Sequence, residues 1–483
     1  MSSLIVLDIG TSSVRAFVIN DKFQILSSFS KPLSVFYPKI HWVEQDPLEL
    51  FIHSKECLLN VIDKININHV KGICITNQRE TTILWDKNTS KPVYPAIVWQ
   101  CRRSADICNN LQNFSEPIKA KTGLLLDPYF SASKIKWIFD NNSSLYSKAN
   151  NNELLFGTVD TWIIWNLTNK KYHITDYSNA SRTMLFNIHS LSYDNELLNL
   201  FSIPKSILPN IVDSTGELAF TDANQTQKSL PIVGILGDQQ ASLFAQTNPK
   251  ENHIKNTYGT GMFVVANTGS HIPSCPSLIN TIAWKYKNTL NYAVEGSIFS
   301  GGSTISWMSK SLKLFPNVSK SEKLAKSVPD TAGVYFRPAL NGLGAPYWDA
   351  NASALFCGLS PSSSNAHLCR AVLESLAYRV KDIIDIIKTL NKSVTYTKLF
   401  VDGGVTNNSF LMQFQADILQ MKVLLSSQLE STTFGVFGLA GIFLNLFDEK
   451  EYRMTLKHHK TYTPRINKED ATNLYNNWKK AIF

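Results

Sequence analysis

The sequence lacks the features of a protein that crosses a membrane or is secreted. Its longest apolar run, residues 434–447, is shorter than the ~20 residues that a membrane helix needs, and it contains Asn445. The first ten residues are apolar but carry no basic segment and are interrupted by Asp8, unlike a signal peptide. The seven cysteines are scattered and never spaced as Cys-x-x-Cys, which argues against disulfides and against a zinc site. We therefore predict a cytoplasmic protein without a membrane partner.

The sequence also lacks a basic cluster. Its formal charge of +9 comes from lysines spread over the whole chain, whereas nucleic-acid-binding proteins usually concentrate their cations on one face. No nucleic-acid partner is predicted. A dispersed positive charge still attracts small anionic ligands such as nucleotides.

Two common phosphate-binding motifs are missing. Neither Gly-x-x-x-x-Gly-Lys-Ser/Thr nor Gly-x-Gly-x-x-Gly occurs, so any nucleotide phosphate has to be held by other turns. The length of 483 residues exceeds what one hydrophobic core usually serves, which predicts two domains.

Two parts of the chain follow the same plan. The first part begins with a strand, a polar turn rich in Gly, Ser and Thr, and a second strand; the second part begins with a similar polar turn that runs into a strand, for which residues 291–297 supply a partner strand. Each part later has an apolar strand that ends in an acid. The segments concerned are residues 4–19 and 231–238 in the first part, and 256–265 and 399–402 in the second. We predict two like α/β domains facing across a cleft, residues 1–247 and 248–483, with the boundary within 246–251.

The apolar strand of residues 231–237 ends in Asp238. Ligands of open α/β sheets collect at the carboxyl ends of strands, where a partly buried carboxylate can act as a general base or hold a metal ion. Asp also caps helices well, and residues 240–245 look helical. Catalysis and helix capping are both open interpretations of Asp238. Residues 218–228, just before this strand, are polar and aperiodic and are predicted to be a loop.

Other polar groups follow predicted strands. Arg79 and Glu80 come after the strand of residues 72–76, where one can donate to and the other accept from the hydroxyls of a polyol, although such neighbours are often a surface pair. The turn of residues 8–13 can hold a phosphate, with Asp8 orienting Mg²⁺ through water, or be a simple turn.

Eight segments of the chain closely resemble the glycerol kinases of the FGGY carbohydrate-kinase family. They are residues 72–82, 96–103, 156–162, 175–189, 237–240, 256–261, 342–349 and 410–415. The segments Asn-Gln-Arg-Glu-Thr-Thr at 77–82 and Trp-Gln-Cys-Arg-Arg at 99–103 distinguish glycerol kinases from pentulose kinases of the same family.

The resemblance implies two ribonuclease H-like domains of the actin-like ATPase type, with ATP and Mg²⁺ in the cleft. It also implies phosphorylation of glycerol to glycerol 3-phosphate, with Asp238 as the base, in a homodimer or homotetramer. Glycerol would contact Arg79, Glu80, Tyr129, Asp238 and Gln239, with Trp99 and Phe263 against its carbon face. ATP would contact Thr11, Ser12, Ser13, Arg15, Thr260, Gly302, Ser306, Gly404 and Asn408. Asp8 and Asp238 would lie near Mg²⁺.

Some positions depart from the family pattern. Ile9 and Val14 replace the usual Gln and Ser near the phosphate turn, and Ser306 replaces a Gln on the adenine side. Many bacterial glycerol kinases are inhibited by fructose bisphosphate through a loop with Gly and Arg; residues 221–229 contain neither, so little inhibition is expected. Two alternatives stay open: a kinase of the same fold for another polyol or a ketose, and a catalytically weak nucleotide-binding protein.

Overall fold

Two mixed sheets organise this computed structural model, which describes residues 2–248, 253–349, 351–391, 394–426, 430–456 and 458–483. The first sheet has strands β1 (Ser3–Ile9), β2 (Ser13–Asn20), β3 (Ile25–Pro32), β4 (Val70–Asn77), β5 (Thr215–Phe220) and β6 (Pro231–Gly237). The second has β7 (Ile254–Tyr258), β8 (Met262–Gly269), β9 (Ile279–Tyr286), β10 (Thr289–Ile298), β11 (Lys398–Asp402), β12 (Lys422–Ser426) and β13 (His458–Tyr462).

The two sheets share a common core topology, to which the second sheet adds one strand. The first runs β5-β6-β4-β1-β2-β3 and the second β9-β10-β8-β7-β11-β12-β13. In each, the first strand pairs antiparallel with the next strand of the chain, β1 with β2 and β7 with β8. Two later strands run parallel to that first strand on its other side, β4 and β6 in the first sheet and β11 and β12 in the second. The sheets differ at the opposite edge, where β2 pairs with β3 but β8 pairs with β10, and β9 lies outside β10. An antiparallel strand closes the side of the two parallel strands, β5 or β13. The repeated sequence plan therefore corresponds to a repeated sheet.

Helices cover both sheets. In the first part they are α1 (Pro47–Ile62), α2 (Ala105–Asn110), α3 (Ser115–Thr122), α4 (Ser131–Asn141), α5 (Ser143–Asn150), α6 (Val159–Leu167), α7 (Tyr177–Ala180), α8 (Asn195–Phe201), α9 (Ala223–Thr226) and α10 (Asp238–Gln246). In the second they are α11 (Gly302–Lys310), α12 (Ser321–Ala325), α13 (Asn365–Leu390), α14 (Ser409–Leu419), α15 (Ser431–Phe443), α16 (Glu449–Thr455) and α17 (Lys468–Ile482). Short two-stranded ribbons pair Glu44–Gln45 with Ala96–Ile97, Ile83–Asp86 with Leu154–Gly157, Ile174–Asp176 with Asn210–Val212, Phe186–Asn187 with Ser192–Tyr193, and Tyr335–Arg337 with Leu355–Cys357.

Local sequence signals explain several element ends. Asp46 caps α1 by accepting the Leu48 N–H at 2.8 Å, and Pro47, which has no N–H to satisfy, occupies the first helical position. One prediction was wrong: residues 218–220 belong to β5, and α9 follows them. Pairing with β6 supplies the backbone partners of β5, so this edge strand needs no apolar periodicity of its own.

The apolar core continues from one sheet to the other. One cluster joins Leu4 and Leu236 of the first sheet to Val265 and Trp284 of the second and to Phe437 of α15. Helices α10 and α15 approach so closely that a Cβ at Gly435 would overlap the carbonyl oxygen of Ala241. Because α10 begins at Asp238, this contact fixes the helix that carries the candidate base. The predicted domain boundary lies partly outside the described residues, which stop at 248 and resume at 253.

None of the described helices is long and apolar enough to cross a membrane.

Candidate active site

A cavity of about 180 Å³ opens where the carboxyl ends of β4 and β6 face the turn between β7 and β8. Every residue predicted to contact glycerol lines it: Arg79, Glu80, Trp99, Tyr129, Asp238, Gln239 and Phe263. Thr11, Ser12 and Thr260, predicted to contact ATP, line it as well. Residues from both parts of the chain thus meet around one small polar space.

Asp238 is the first residue of α10, directly after β6. The cap position belongs to Gly237, while the Asp238 carboxylate accepts the adjacent Gln239 N–H at 2.7 Å and keeps its side chain 28% exposed. Burial raises the pKa of Asp238 to about 6; Arg79 opposes this shift and Glu80 reinforces it. A carboxylate with this pKa is ionised at neutral pH yet more basic than an ordinary Asp, as a general base requires.

Arg79 and Glu80 follow β4 and lie beside Asp238. The Nε atom of Arg79 is 3.5 Å from Asp238 Oδ1 and 3.7 Å from Glu80 Oε1. A Cβ at Gly237 would lie 2.7 Å from Arg79 Cδ, so the glycine makes room for this side chain. Glu80 has a φ of 59°, a left-handed conformation that non-glycine residues rarely adopt and that is often found at functional sites.

Three aromatic rings form an apolar wall of the cavity. Trp99 meets Tyr129 and Phe263 edge to face, with ring centroids 5.8 and 5.7 Å apart. The Trp99 indole N–H donates to Thr11 Oγ1 at 3.0 Å, and the Tyr129 hydroxyl accepts from Arg79 Nη2 at 3.3 Å. The wall is therefore hydrogen-bonded both to the polar turn after β1 and to Arg79.

Only some of the residues in and after the polar turn that follows β1 reach the cavity. Thr11 and Ser12 line the cavity, whereas Ser13 and Arg15 do not. Arg15 donates to Asp8 Oδ2 at 2.6 Å and is ion-paired with Glu430, so it would have to exchange a partner to meet a phosphate.

A second turn faces the first one from the other part of the chain. The Thr260 carbonyl accepts the backbone N–H groups of Gly301 and Ser303 at 3.0 and 3.1 Å, which ties the turn to the start of α11. A Cβ at Gly302 would lie 2.7 Å from the Gly259 carbonyl oxygen, so glycine is needed for this close approach.

The remaining residues predicted to bind ATP lie outside the cavity lining. Gly302 and the half-buried Ser306 are on α11, and Gly404 is exposed after β11. Asn408 caps α14 by accepting the Leu411 N–H at 3.0 Å and donates to Ser321 Oγ at 3.2 Å. Asn408 therefore has a structural role whether or not it meets a nucleotide.

The carboxylates of Asp8 and Asp238 suit a magnesium ion. They come from β1 and from the end of β6, on either side of β4, so their backbones are about 10 Å apart. Within the described residues, Asp8 Oδ1 and Asp238 Oδ2 have no hydrogen-bond partner, while the other oxygen of each carboxylate is engaged. Mg²⁺ is commonly held by one or two carboxylates together with water and substrate phosphates. Within the described residues no cluster of three His, Cys, Asp or Glu residues forms a metal cage.

Three charged residues near the cavity were not predicted as site residues. Arg182 donates to Glu80 Oε1 at 2.5 Å, and Glu295 pairs with Arg79, with Nη1 to Oε2 at 2.6 Å. Lys255 donates to Gln239 Oε1 at 2.6 Å and to Thr257 Oγ1 at 2.7 Å, and burial lowers its pKa to about 8. All three side chains are buried. Lys255 and Glu295 do carry a sequence signal, a charge inside a strand whose neighbouring residues are buried, which is costly unless it is paired.

The two residues beside the phosphate turn that differ from the family pattern, Ile9 and Val14, point away from that turn. Ile9 and Val14 face each other across β1 and β2, and both side chains belong to the apolar core under the first sheet. They are fully buried and do not line the cavity. Their substitution therefore changes packing below the turn.

Comparisons with known proteins show similarity over nearly the whole chain. Residues 3–245 match the N-terminal domain, and residues 254–444 the C-terminal domain, of the FGGY family of carbohydrate kinases. The chain is 45% identical to the glycerol kinase of Aquifex aeolicus over 485 residues, covering 100% of this chain and 98% of that protein. It is equally similar, 45% over 488 residues, to glycerol kinase 2 of Thermotoga maritima, covering 100% of this chain and 98% of that protein.

Solved structures show the same architecture. The crystal structure of Plasmodium falciparum glycerol kinase with ADP has a TM-score of 0.90 and 32% identity, covering 99% of this chain and 97% of that chain. A gluconate kinase from Lactobacillus acidophilus has a TM-score of 0.86 at 22% identity, covering 99% of this chain and 97% of that one, a likeness of fold alone. The predicted actin-like, ribonuclease H-like fold is confirmed.

Proposed function

This chain belongs to the FGGY family of carbohydrate kinases, and from that premise we propose how it phosphorylates glycerol with ATP. Its full-length likeness to glycerol kinases supports this activity. The observation that carries the assignment of roles is the convergence of Arg79, Glu80 and Asp238 beside an aromatic wall in one small cavity. Thr11 and Thr260, from the two facing turns, line the same cavity.

Glycerol binding follows from the chemistry of the cavity. Arg79 donates to substrate hydroxyls and the Glu80 carboxylate accepts from them, while Tyr129 and Gln239 complete the polar contacts. Trp99 and Phe263 pack against the carbon atoms. A three-carbon polyol has a hydroxyl on every carbon, so it needs this combination of polar groups with one apolar wall.

Asp238 acts as the general base. Its carboxylate accepts the proton of a terminal glycerol hydroxyl as that oxygen attacks the γ-phosphorus of ATP; the bond to ADP breaks, and ADP leaves with the electron pair. The pKa of about 6 supports this role because the base is ionised at pH 7 and still accepts a proton readily.

The nucleotide lies between the two turns. Thr11, Ser12, Ser13 and Arg15 contact its phosphates from one side and Thr260 from the other, while Gly302, Ser306, Gly404 and Asn408 contact the rest of the nucleotide. Asp8 and Asp238 would hold Mg²⁺, which neutralises phosphate charge when bound. The free carboxylate oxygens described above support this assignment.

The remaining assignments concern the domains, the cellular location and the oligomeric state. We assign residues 1–247 to a domain for glycerol and phosphate and residues 248–483 to a domain for the nucleotide, which the separate sheets support. Seven free cysteines support a reducing compartment, the cytoplasm. A homodimer or homotetramer stays a prediction.

A coupled assay of ADP release tests the proposal. We expect release to depend on glycerol and on Mg²⁺, and to be far slower with xylulose or gluconate at equal concentration. Background release with glycerol beside clear turnover of another polyol or sugar would refute the substrate assignment. ATP binding without turnover of any substrate would instead favour the weak nucleotide-binding alternative.

A further inference from the structure

Glu295 carries a buried charge in the middle of β10, in the second sheet. Its side chain is fully buried, and both carboxylate oxygens accept hydrogen bonds. Arg79 donates to Oε2 through Nη1 at 2.6 Å and to Oε1 through Nη2 at 3.0 Å. Oε1 also accepts from Arg182 Nη2 at 3.0 Å and from Ser297 Oγ at 2.9 Å. Two parallel N–H···O bonds between an Arg and a carboxylate fix the plane of the guanidinium.

This pairing decides which edge of Arg79 remains for the substrate. The two Nη atoms are directed to Glu295, with secondary contacts to Gln240 and Tyr129. The Nε edge is left beside Asp238 and Glu80, at 3.5 and 3.7 Å. A residue of the second sheet therefore orients a side chain that belongs to the first.

Glu80 is held in the same cluster. Arg182 spans the two acids, with Nε at 2.5 Å from Glu80 Oε1 and Nη2 at 3.0 Å from Glu295 Oε1. The cluster contains two cations and two anions, so its charges balance within the interior. Removing one member leaves a buried charge without its partner, which is costly.

We infer that Glu295 is a positioning residue for glycerol recognition: it orients Arg79 directly, and Glu80 through Arg182, from the opposite side of the cleft. The inference rests on the proposed function, in which Arg79 and Glu80 bind glycerol. It also means that the glycerol pocket is complete only when the two sheets are in contact.

The test is Glu295→Gln, which keeps the size of the side chain but replaces the charge and turns an amide N–H₂ towards Arg79. Losing a charge-assisted pair should raise the KM for glycerol about 10- to 100-fold and weaken glycerol binding in calorimetry equally, with the KM for ATP changed less than about threefold. Preference for glycerol over propane-1,3-diol, which lacks the central hydroxyl, should shrink. A general loss of stability would not produce this selective pattern.

Glu374→Gln is the matched control. Glu374 is also buried and paired with an arginine, Arg370 at 2.7 Å, but it does not line the cavity. We expect that variant to change melting temperature without changing the KM for glycerol. If Glu295→Gln behaved in the same way, its role would be structural only and the inference would be overturned.

A milder variant covers the case in which Glu295→Gln does not fold. Ser297→Ala removes only the hydroxyl that donates to Glu295 Oε1, and it should raise the KM for glycerol about two- to fivefold. An unchanged KM in a stable Ser297→Ala enzyme would then overturn the inference. Wild-type protein without glycerol turnover would refute the proposed function, whereas normal glycerol kinetics in Glu295→Gln beside an active wild type would refute only the role of Glu295.

Discussion

Replacing Asp238 by Asn tests the assignment of the general base. Asn keeps the shape and can still accept the Gln239 N–H that Asp238 accepts at 2.7 Å, but it has no carboxylate to take a proton. Loss of general-base help typically slows turnover by about a hundredfold to ten-thousandfold. We expect kcat to fall within that range, and towards its upper end if Asp238 also holds Mg²⁺.

The pH dependence gives the same test a second readout. With a pKa of about 6 for Asp238, wild-type kcat/KM should be constant above pH 7 and fall about tenfold per pH unit below 6. This acid limb should be absent in Asp238→Asn, because the residual reaction no longer depends on that carboxylate. The pH profiles of wild type and Asp238→Asn can both be measured by stopped coupled assays from pH 5 to 8.5, with pyruvate kinase and lactate dehydrogenase added after quenching.

Melting temperature shows whether a loss of rate in Asp238→Asn reflects lost catalysis or lost folding, since Asn caps a helix about as well as Asp. The pKa of Asp238 is raised in the fold from 3.8 to about 6, so its stabilising effect is present below pH 3.8 and is lost as the pH rises through about 6. At pH 7.5 the ionised carboxylate therefore opposes folding, and Asp238→Asn should melt no lower than wild type. A variant that keeps more than about a tenth of wild-type kcat, or that keeps the acid limb, would refute the assignment.

Two further predictions concern lysines. Lys255→Met removes the donor to Gln239 and a cation near Asp238, so the KM for glycerol should rise and the acid limb of kcat/KM should move to higher pH. Lys255→Arg keeps the positive charge and should stay closer to wild type. A wild-type pH profile in Lys255→Met would contradict this prediction. Fructose bisphosphate at millimolar concentration should inhibit little, because the only cation of residues 221–229, Lys228, already donates to Asn68 Oδ1 at 3.1 Å. Clear inhibition in the ADP-release assay would count against this reasoning.

Much of the fold could be predicted because the same signals occur twice. Periodicity and glycine-rich turns identified β1 and β2 in the first sheet and β8 and β10 in the second, whereas β7 and β9 were not predicted. The acids that follow β6 and end β11 indicated equivalent positions in the two sheets. The edge strand β5 was missed for a physical reason: its pairing comes from β6, and its sequence, exposed on one side, has no regular apolar alternation. Propensity is weakest where backbone pairing alone decides the structure.

The site residues that follow strands could be predicted from the sequence, whereas the charged residues that pair with them could not. Arg79, Glu80 and Asp238 stand where ligands are expected in any open α/β sheet. Arg182 is separated from Glu80 by 102 positions along the chain, and Glu295 from Arg79 by 216. A local sequence pattern cannot indicate pairings between residues so far apart. A buried charge in an apolar strand signals only that a partner exists, whereas its identity depends on how two distant segments meet.

The balance of these buried charges explains why Asp238 can be basic while an arginine lies beside it. An unpaired Arg79 at 3.5 Å would favour the ionised carboxylate and lower its pKa, which would make a weaker base. Glu295 offsets that effect: burial opposes its charge, but Arg182 and Arg79 outweigh burial and hold its pKa at about 2, so it stays ionised throughout the working pH range. The positive charge of Arg79 is thereby largely neutralised, and burial dominates the pKa of Asp238. Removing the negative charge of Glu295 and removing the positive charge of Lys255 should consequently move the acid limb of kcat/KM in opposite directions, to lower and to higher pH.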